Sequence, residues 1–563
     1  MTIDRESFFR PLPRKAKTAL LATCAGVIAG NTAALAQQND TGPKAPLRFR
    51  NEYFGYGLAV GPRVSYTDNI QLAPDGLRDD EFSVSIATNG SAIYSNNRFT
   101  GVIDGSLDVS YLTDQAEVVA SQDVGAAGTA TIAENLFYVD IAGSTSRQLA
   151  GENARFTHNV NAGRTQRVNV HNFAVSPYLN HRFANGSAAE LRYRFSQVFI
   201  DSTRANSLGQ IFDGNSRTQE VVATYDSGNS IDRIAVELTA YGNKTRDYGS
   251  STRADIEYEQ GTLQGDLQFE LTERFALTGA VGYDEVDTTA PATFIPADQL
   301  SGVFWRAGFR ARPGRKTDVR LEYGRRYDDD FIDARVRYDL SERLTFSASA
   351  GRTFQTQSQA VATQYEALQR RTLDFVEDLR GGEIGDASDV VDALTRATRS
   401  RINAQQIGLG VANNASASLT GVYGRTTINA YGSYQDTDYG FRSITTYGGG
   451  VNLERTLSRR MTAYTSVFYR NVDSTADLAS CVLDPTLFGF DVTVPGFDPV
   501  AACDSLVGFE GKTDTVGGRI GIAYRVFKNV SAFGEYAHTE RFSQNPQLEY
   551  GENFVTAGVQ VEF

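Results

Sequence analysis

Apolar and polar side chains alternate along most of the chain, in segments of about ten residues that recur from Tyr53 to Phe563. In Ala189–Ser196, small or apolar residues interleave with Glu, Arg and Ser, and the same pattern surrounds Trp305, Leu321 and Val336. Each segment therefore has one apolar and one charged face, which predicts β-strands. Because the pattern recurs over the whole length, it is typical of a transmembrane barrel rather than of a soluble sheet with one wet face.

Two kinds of connection separate these segments. Short turns, such as Asn185-Gly186 and Pro313-Gly314-Arg315, contain the residues that tight hairpins require. Longer polar connections span residues 68–80, 150–167, 201–215, 284–300, 354–404 and 473–511. Short turns at one end and long loops at the other match outer-membrane barrels, whose long loops face outside. The sequence therefore predicts an all-β, transmembrane antiparallel β-barrel of about 20–22 strands, built from residues 53–563.

Residues 1–36 have the features of a secretory signal peptide. Basic residues precede a short apolar stretch from Ala19 to Gly30, and Ala34 and Ala36 form a small-x-small cleavage site. This stretch is much shorter than the ~20 residues that a membrane anchor needs, and no later run of ~18 apolar residues exists. We therefore predict export without transmembrane helices, and a short periplasmic segment at residues 37–52 before the barrel.

The last predicted strand ends in an aromatic residue and resembles the signal that the barrel-assembly machinery recognises. Thr556, Gly558, Val561 and Phe563 occupy its polar, glycine, hydrophobic and terminal aromatic positions. We therefore expect that machinery as a partner and the bacterial outer membrane as the location. Outer-membrane lipid and lipopolysaccharide would surround the barrel.

Two cysteines remain after the predicted cleavage, Cys481 and Cys503, and both lie in the loop of residues 473–511. In an exported chain such a pair favours a disulfide. It would close a loop of about 20 residues and stabilise the chain by about 3 kcal/mol in the chain-entropy model. The alternative is two free thiols or a metal-binding pair.

One segment, Gln359–Thr398, breaks the strand pattern within a predicted insertion of residues 358–404. It is rich in helix formers and carries a partial apolar stripe at helical spacing. In barrel topology it falls in an extracellular loop. It could cap the barrel or fold into its mouth, or it could be a partly helical surface insertion.

The charge and motif content exclude several functions. The net charge of −13 gives no reason to expect nucleic-acid binding. The chain lacks the common hydrolase, phosphate-binding and Cys-x-x-Cys motifs, and its four His residues are scattered. We therefore predict no enzyme activity, no cofactor and no metal centre. The run Asp328-Asp329-Asp330 could hold a divalent cation, but such runs are more often solvated loop tips.

Seven arginines on three consecutive predicted strands share the face opposite Trp305, Leu321 and Val336. These are Arg306, Arg310, Arg312, Arg320, Arg326, Arg335 and Arg337. Facing lipid near the midplane, each would cost ~2–4 kcal/mol, so we place them in the lumen. There they would favour anionic solutes. They could also pair with acidic residues and stiffen the wall, the candidate partners being Glu190, Asp318, Glu322 and Asp333.

Four short motifs carry a resemblance to a known family. They are Tyr66–Ile70, Tyr323–Tyr327, Tyr338–Leu344 and Leu419–Thr427. In these motifs the chain resembles an outer-membrane β-barrel porin family associated with exopolysaccharide and exosortase loci. The resemblance implies a conduit that secretes an anionic surface polysaccharide and works with periplasmic polysaccharide-export proteins. The barrel pattern alone leaves open a general or solute-specific uptake porin, or a non-conducting structural or adhesion barrel.

Overall fold

The computed structural model describes residues 48–49, 54–149, 155–164, 167–201, 215–228, 231, 233–249, 255–291, 295–355, 410–476, 478–493, 495–507 and 511–563. The predicted signal peptide and the predicted insertion of residues 358–404 lie outside the described residues.

Within those ranges, 22 long antiparallel strands, β2 to β23, close into one barrel, which confirms the predicted fold class. A two-residue strand, β1 (Arg48–Phe49), pairs with the start of β2. The long strands are β2 (Phe54–Thr67), β3 (Glu81–Ser95), β4 (Phe99–Leu112), β5 (Glu117–Ala133), β6 (Phe137–Leu149), β7 (Arg167–Arg182), β8 (Ala188–Asp201), β9 (Asn215–Asp226), β10 (Ile234–Tyr248), β11 (Ile256–Thr272), β12 (Phe275–Thr288), β13 (Gly302–Gly314), β14 (Thr317–Arg326), β15 (Asp329–Ser341), β16 (Leu344–Gln355), β17 (Gly410–Tyr423), β18 (Thr426–Asp438), β19 (Arg442–Ser458), β20 (Met461–Ala476), β21 (Gly511–Phe527), β22 (Val530–Ser543) and β23 (Tyr550–Glu562).

Each long strand pairs with its neighbours in the chain, and β2 pairs with β23 to close the barrel. This closing ladder is interrupted at Gly61 and Pro62. Proline has no amide to donate, and a Cβ at Gly61 would lie 1.8 Å from the carbonyl oxygen of Val559. The ladder resumes towards the C-terminus, where the amide of Phe563 donates to the carbonyl of Leu58 at 2.8 Å.

Tight turns connect the strands at the end of the barrel that holds the C-terminus, as predicted, and the longer connections lie at the opposite end. Two predicted loop boundaries are wrong. β12 continues past Asp284 to Thr288, and β20 continues past Asp473 to Ala476. In both strands an acidic residue suggested a loop. The side chain of Asp284 instead faces the lumen and is 1% exposed.

Outward side chains form an apolar band, and each end of this band is flanked by a ring of aromatic residues that runs around the barrel. The ring near the long loops contains Tyr66, Phe82, Tyr111, Tyr283, Trp305, Tyr323, Tyr434, Tyr447, Tyr469 and Tyr536. The ring near the tight turns contains Tyr56, Tyr94, Phe183, Phe275, Tyr338, Tyr423, Tyr524 and Phe527. Ten residues separate Tyr56 from Tyr66 on β2, about 33 Å along the strand and ~25 Å along the barrel axis after tilt. The band therefore has the height that outer-membrane barrels present to lipid.

The helical content is small. Within the described residues, the connections contain α1 (Ala297–Leu300), α2 (Leu478–Leu483), α3 (Pro499–Val507) and two short 3₁₀ turns, Pro485–Phe488 and Pro546–Leu548. No described helix has the length and apolar character needed to cross a bilayer.

Candidate functional site: the lumen and its mouth

The seven arginines, which we call the arginine wall, lie on β13, β14 and β15, whose alternation turns them inward. On the opposite face Trp305 is 43% exposed and Leu321 is 41% exposed. The register places Arg310, Arg320 and Arg335 directly opposite one another across the three strands. The next inward row towards the long loops holds Glu322 and Asp333, which are also opposite one another. Rows of positive and negative charge therefore alternate along the wall.

Most of these arginines are in ion pairs. Arg306 contacts Asp266 of β11, and its Nε lies 3.1 Å from Glu322 Oε2 without hydrogen-bond alignment. Arg320 donates to Glu322 at 2.9 Å. Within this group Glu322 is fully buried, with 0% of its side chain exposed. A central acidic group therefore compensates two arginines from adjacent strands.

Further ion pairs lie towards the two ends of the wall. Arg310 donates to both carboxylate oxygens of Asp318, at 3.0 and 2.6 Å, and Arg312 donates to the same carboxylate at 3.2 Å. Towards the long loops, Arg326 donates to both oxygens of Asp284 at 2.7 and 2.8 Å. Bidentate geometry of this kind fixes the guanidinium group as well as pairing its charge. The wall is therefore in large part a structural network.

The partners of the arginine wall differ in part from the expected ones. Asp318 and Glu322 pair as expected, but Glu190 instead pairs with Arg192 of its own strand at 2.8 Å. Asp266 and Asp284, on β11 and β12, are partners that the sequence interpretation missed. Each of these acids contacts an arginine two strands away, on β13 or β14. Finding them therefore requires the register across the strand in between.

Two arginines remain more available. The side chain of Arg337 is 70% exposed, and its Nε lies 3.5 Å from Asp339. Within the described residues, Arg335 has Asp333 as its electrostatic neighbour but no ion pair closer than 4 Å. Arg335 lies in the middle of β15, and Arg337 lies one inward position closer to the tight turns. These two groups can therefore interact with a passing anion without breaking a bidentate pair.

Glycines make room for this wall. An added Cβ at Gly308 would lie 1.9 Å from the carbonyl oxygen of Leu321, and one at Gly324 would lie 2.2 Å from that of Trp305. Gly308 is opposite Glu322, and Gly324 is opposite Arg306. The glycines permit close backbone approach beside the large charged side chains.

On the other side of the lumen, the segment Arg155–Arg164 of the β6–β7 connection folds inward, and we call it the inward loop. Its Thr157 is fully buried and its hydroxyl donates to Glu552 of β23, which also accepts from Thr67 of β2 at 2.9 Å. The hydroxyl of Tyr550 donates to the carbonyl of Phe156. Since β2 is ten strands away from β14 around the barrel, the inward loop and the arginine wall lie on nearly opposite sides of the lumen.

The inward loop is also held by β4 and by the β2–β3 connection. The amide of Asn161 donates to the hydroxyl of Ser110 at 3.0 Å, and the backbone amide of Gly163 donates to the carbonyl of Ile70 at 3.0 Å. Ala162 packs with Ile70 and Leu72 in a small buried cluster. The inward loop is therefore attached along its length to the inner face of the barrel, on the side opposite the arginine wall.

An aromatic contact anchors the middle of the inward loop. The rings of Phe156 and Phe468 of β20 meet edge to face at 4.9 Å, and His158 packs against both. Burial lowers the pKa of His158 to about 3, and the positive charge of Arg519 contributes to the shift. The imidazole is therefore neutral at physiological pH.

A disulfide-containing segment between β20 and β21, which we call the lid, covers part of the mouth of the barrel at the end with the long loops. It contains α2, the turn Pro485–Phe488 and α3, and the sulfur atoms of Cys481 and Cys503 are 2.10 Å apart. The lid cluster is completed by side chains from β19, β20 and the β18–β19 turn. Its buried members are Tyr439, Phe441, Ile444, Val472, Cys481, Phe488, Phe490 and Cys503.

The lid reaches across the barrel. Ile200 of β8 and Ala290 of the β12–β13 connection pack against its cluster. β8 is ten strands from β20 in a barrel of 22, so these contacts join nearly opposite rims. Ala290 also packs against a second cluster, which contains Ile295 and Leu300 beside α1. The lid and the β12–β13 connection thus meet over the mouth.

The remaining predicted residues take ordinary positions. Thr556 is buried and donates to the carbonyl of Val64 at 3.1 Å, while Phe563 at the end of the chain is 53% exposed. Asp328 lies in the turn before β15, and Asp329 and Asp330 are the first, exposed residues of that strand. The described residues contain no group of three potential ligands for a metal. Val561 and Gly558 pair with β2 in the closing ladder.

The inward loop is the functional feature that the sequence interpretation missed. The inward loop lies within the predicted polar connection of residues 150–167, which the sequence does not distinguish from the other long loops. The available signal was weak: Phe156 and His158 are aromatic residues in an otherwise small and polar stretch. Their burial depends on Phe468, which is far away in the chain.

Comparison with solved structures finds that this chain is similar to other large barrels. The ferric-catecholate import receptor Fiu from E. coli matches with a TM-score of 0.47 and 9% identity, over 92% of this chain and 82% of that chain. The siderophore receptor PirA from Acinetobacter baumannii matches with a TM-score of 0.45 and 8% identity, over 90% and 80%. No family model and no curated protein sequence matches. Likeness at this level carries no argument about a ligand.

Proposed function

We propose that this chain is an outer-membrane channel for uptake of small solutes, with a preference for anions, rather than an open conduit for a polymer. The observation that carries the proposal is the inward loop, which is hydrogen-bonded to Glu552 and packed on Phe468 inside the lumen. A barrel of this strand number would otherwise enclose a wide aqueous interior. A loop fixed inside it converts a wide tube into a size-selective passage.

The attachment of the inward loop argues against free passage of a polymer. Glu552 is 1% exposed and accepts hydrogen bonds from two elements, the loop and β2. Moving the loop aside would leave this buried carboxylate with fewer donors, and buried polar groups that lose partners are costly. The lid adds a second obstacle at the mouth, because its apolar cluster also contacts the far rim.

The charges of the wall support a modest preference for anions. Most arginines are compensated by Asp266, Asp284, Asp318 or Glu322, so their fields are largely cancelled nearby. Within the described residues, Arg335 and Arg337 are the two arginines of the wall without a hydrogen-bonded carboxylate. Two available guanidinium groups in a lumen attract anions more than cations.

The test measures flux through the refolded mature protein in liposomes, with a series of small sugars, carboxylates and phosphates and with anionic oligosaccharides of increasing length. The proposal expects entry of small solutes, faster for anions of matched size, and a sharp size limit. Passage of long anionic oligosaccharides without a size limit would favour the polysaccharide conduit that the family resemblance implies.

Cells complete the test. Deletion of the gene should slow uptake of small anions from dilute medium and leave surface polysaccharide unchanged. Periplasmic accumulation of polymer in the deletion strain would instead favour secretion. A folded barrel that passes none of the small solutes would leave a structural or adhesion role.

A further inference from the structure

A strongly charged patch lies on the lipid-facing side of the barrel, on strands β9 to β12 near the long loops. Alternation turns Arg217, Lys244 and Arg246 outward on β9 and β10. Acidic residues lie in the same rows or in adjacent ones on β11 and β12, namely Asp255, which directly precedes β11, and Glu257, Glu259, Glu285 and Asp287. We call this set the outer charged patch. It plays no part in the lumen, because its side chains point away from it.

The cations and anions of the outer charged patch are separated rather than interleaved. Lys244 lies 2.5 Å from Glu259, and Arg246 lies 2.7 Å from Asp255, so pairs form only along the boundary between β10 and β11. These side chains are between 39% and 56% exposed. Exposed pairs of this kind contribute little stability by themselves, so folding alone gives a weak reason for them.

The cationic half contains a pair of like charges. Arg217 and Arg246 are directly opposite in the β9–β10 ladder, and directly opposed like charges destabilise a sheet. Within the described residues, no ion pair is found for the exposed Arg217. Asp255 accepts two hydrogen bonds from Arg246, at 3.2 and 2.7 Å, so the charge that remains to be compensated is that of Arg217. A phosphate bound to Arg217 would compensate it, because phosphate oxygens match guanidinium donors.

The height of the outer charged patch identifies the kind of anion. Lys244 and Asp287 lie four residues further towards the long loops than the row that holds Tyr283 and Leu263. Four residues correspond to about 13 Å along a tilted strand, which places Lys244 and Asp287 ~10 Å above the ring of aromatic residues that contains Tyr283. Below this row the outward surface is apolar, with Leu263 65% exposed and Val281 60% exposed.

We propose that the outer charged patch binds the phosphorylated sugar headgroup of lipopolysaccharide in the outer leaflet. A phospholipid headgroup layer is only about 5–8 Å thick on each side, so its phosphates lie below the patch. The sugar headgroup of lipopolysaccharide extends further and carries phosphates and carboxylates at this level. The phosphates would contact Arg217, Lys244 and Arg246. The acidic residues of the patch would bind divalent cations that also bind these phosphates.

The test compares the full chain with the triple variant Arg217→Gln, Lys244→Gln, Arg246→Gln in detergent micelles. Purified lipopolysaccharide with Mg²⁺ is added, and the temperature at which the heat-modifiable folded band is lost is measured on gels. The folded band without lipid shows that the variant still forms a barrel. We expect lipopolysaccharide to raise the transition temperature of the unaltered protein and to have at most half that effect on the triple variant.

A matched control is Arg325→Gln, because Arg325 is an outward arginine on β14 that is 57% exposed and lies outside the patch. It should keep the full response. Equal responses of the unaltered protein and the triple variant would overturn the proposal. So would an equal response of the unaltered protein to phosphatidylglycerol, because the patch would then sense only a negative surface.

Discussion

The lumen has two unlike sides. The arginine wall consists of strand side chains whose partners are close in the chain, 42 residues apart in the bidentate pair of Arg326 with Asp284. The opposite side is built by the inward loop, whose hydrogen bond from Thr157 to Glu552 spans 395 residues. One side is part of the barrel itself, and the other is an inserted element that the finished barrel holds in place.

Because the two sides are built differently, substitutions in them should change different properties of the protein, its stability or its permeability. Removing a charge from the wall disturbs ion pairs that connect β11 to β14. Removing the inward loop leaves every strand ladder intact, because the loop contributes no strand residues. We therefore expect changes in the wall to weaken the barrel and changes in the loop to widen the passage.

Replacement of residues 155–164 by a short Gly-Ser linker should have the largest effect. We expect single-channel conductance to rise several-fold, since the lumen loses its inserted obstacle while the strands remain paired. Planar-bilayer recording measures the change. As a control, Asp75→Ala with Leu77→Ala alters exposed positions of the β2–β3 connection and should leave conductance unchanged. A loop-replaced barrel that folds and keeps the original conductance would show that the lid, not the loop, limits flow.

Glu322→Gln should have the next largest effect, on stability. The carboxylate is fully buried between Arg306 and Arg320, so its neutralisation leaves two arginines undercompensated. Breaking a buried pair on one side typically costs ~3–5 kcal/mol. Urea unfolding followed by tryptophan fluorescence of Trp305 would detect a lower midpoint. Asp339→Asn is the control, because that carboxylate is 31% exposed and pairs with an exposed arginine. An unchanged midpoint in Glu322→Gln would mean that the wall is not a structural network.

The same contrast explains how far the sequence could predict the molecule. Alternation is a local property, so the barrel, the inward placement of Arg306 and the outward placement of Trp305 follow from reading one strand at a time. The partners Asp266 and Asp284 needed the register between strands, which no single strand specifies. The inward loop was out of reach, because Phe156 has no apolar neighbours until the chain has closed and brought Phe468 to it.

Replacement of Arg335 and Arg337 by Gln should have a smaller effect, confined to selectivity. These two arginines lack bidentate partners, so their removal takes positive charge from the lumen without breaking a bidentate ion pair. We expect the reversal potential in a salt gradient to move towards that of an unselective pore. The loss of stability should be smaller than for Glu322→Gln, because neither change breaks a buried ion pair. Arg310→Gln, which removes the bidentate partner of Asp318, should instead show a loss of stability. Equal selectivity of the unaltered protein, the double variant and Arg310→Gln would show that the arginine wall does not select ions.

Acidification should reveal the smallest effect, through His158. Its pKa is lowered to about 3 by burial and by Arg519, whereas an unfolded histidine titrates near ~6.5. Between these values the unfolded or displaced loop binds a proton that the packed loop does not. The packed state is therefore fully favoured above pH ~6.5 and loses stability as the pH falls towards 3.

The consequence is a small rise in conductance or in channel noise on acidification, as the inward loop spends more time displaced. His158→Phe keeps a ring beside Phe156 and Phe468 but cannot take up the proton. Carboxylates of the lumen titrate in both proteins, so the difference between the two pH profiles isolates the imidazole. Superimposable profiles would show that protonation of His158 does not control the loop. If conductance depends less on pH in His158→Phe than in the unaltered protein, then the inward loop, and not the arginine wall, is the side of the lumen that moves in response to pH.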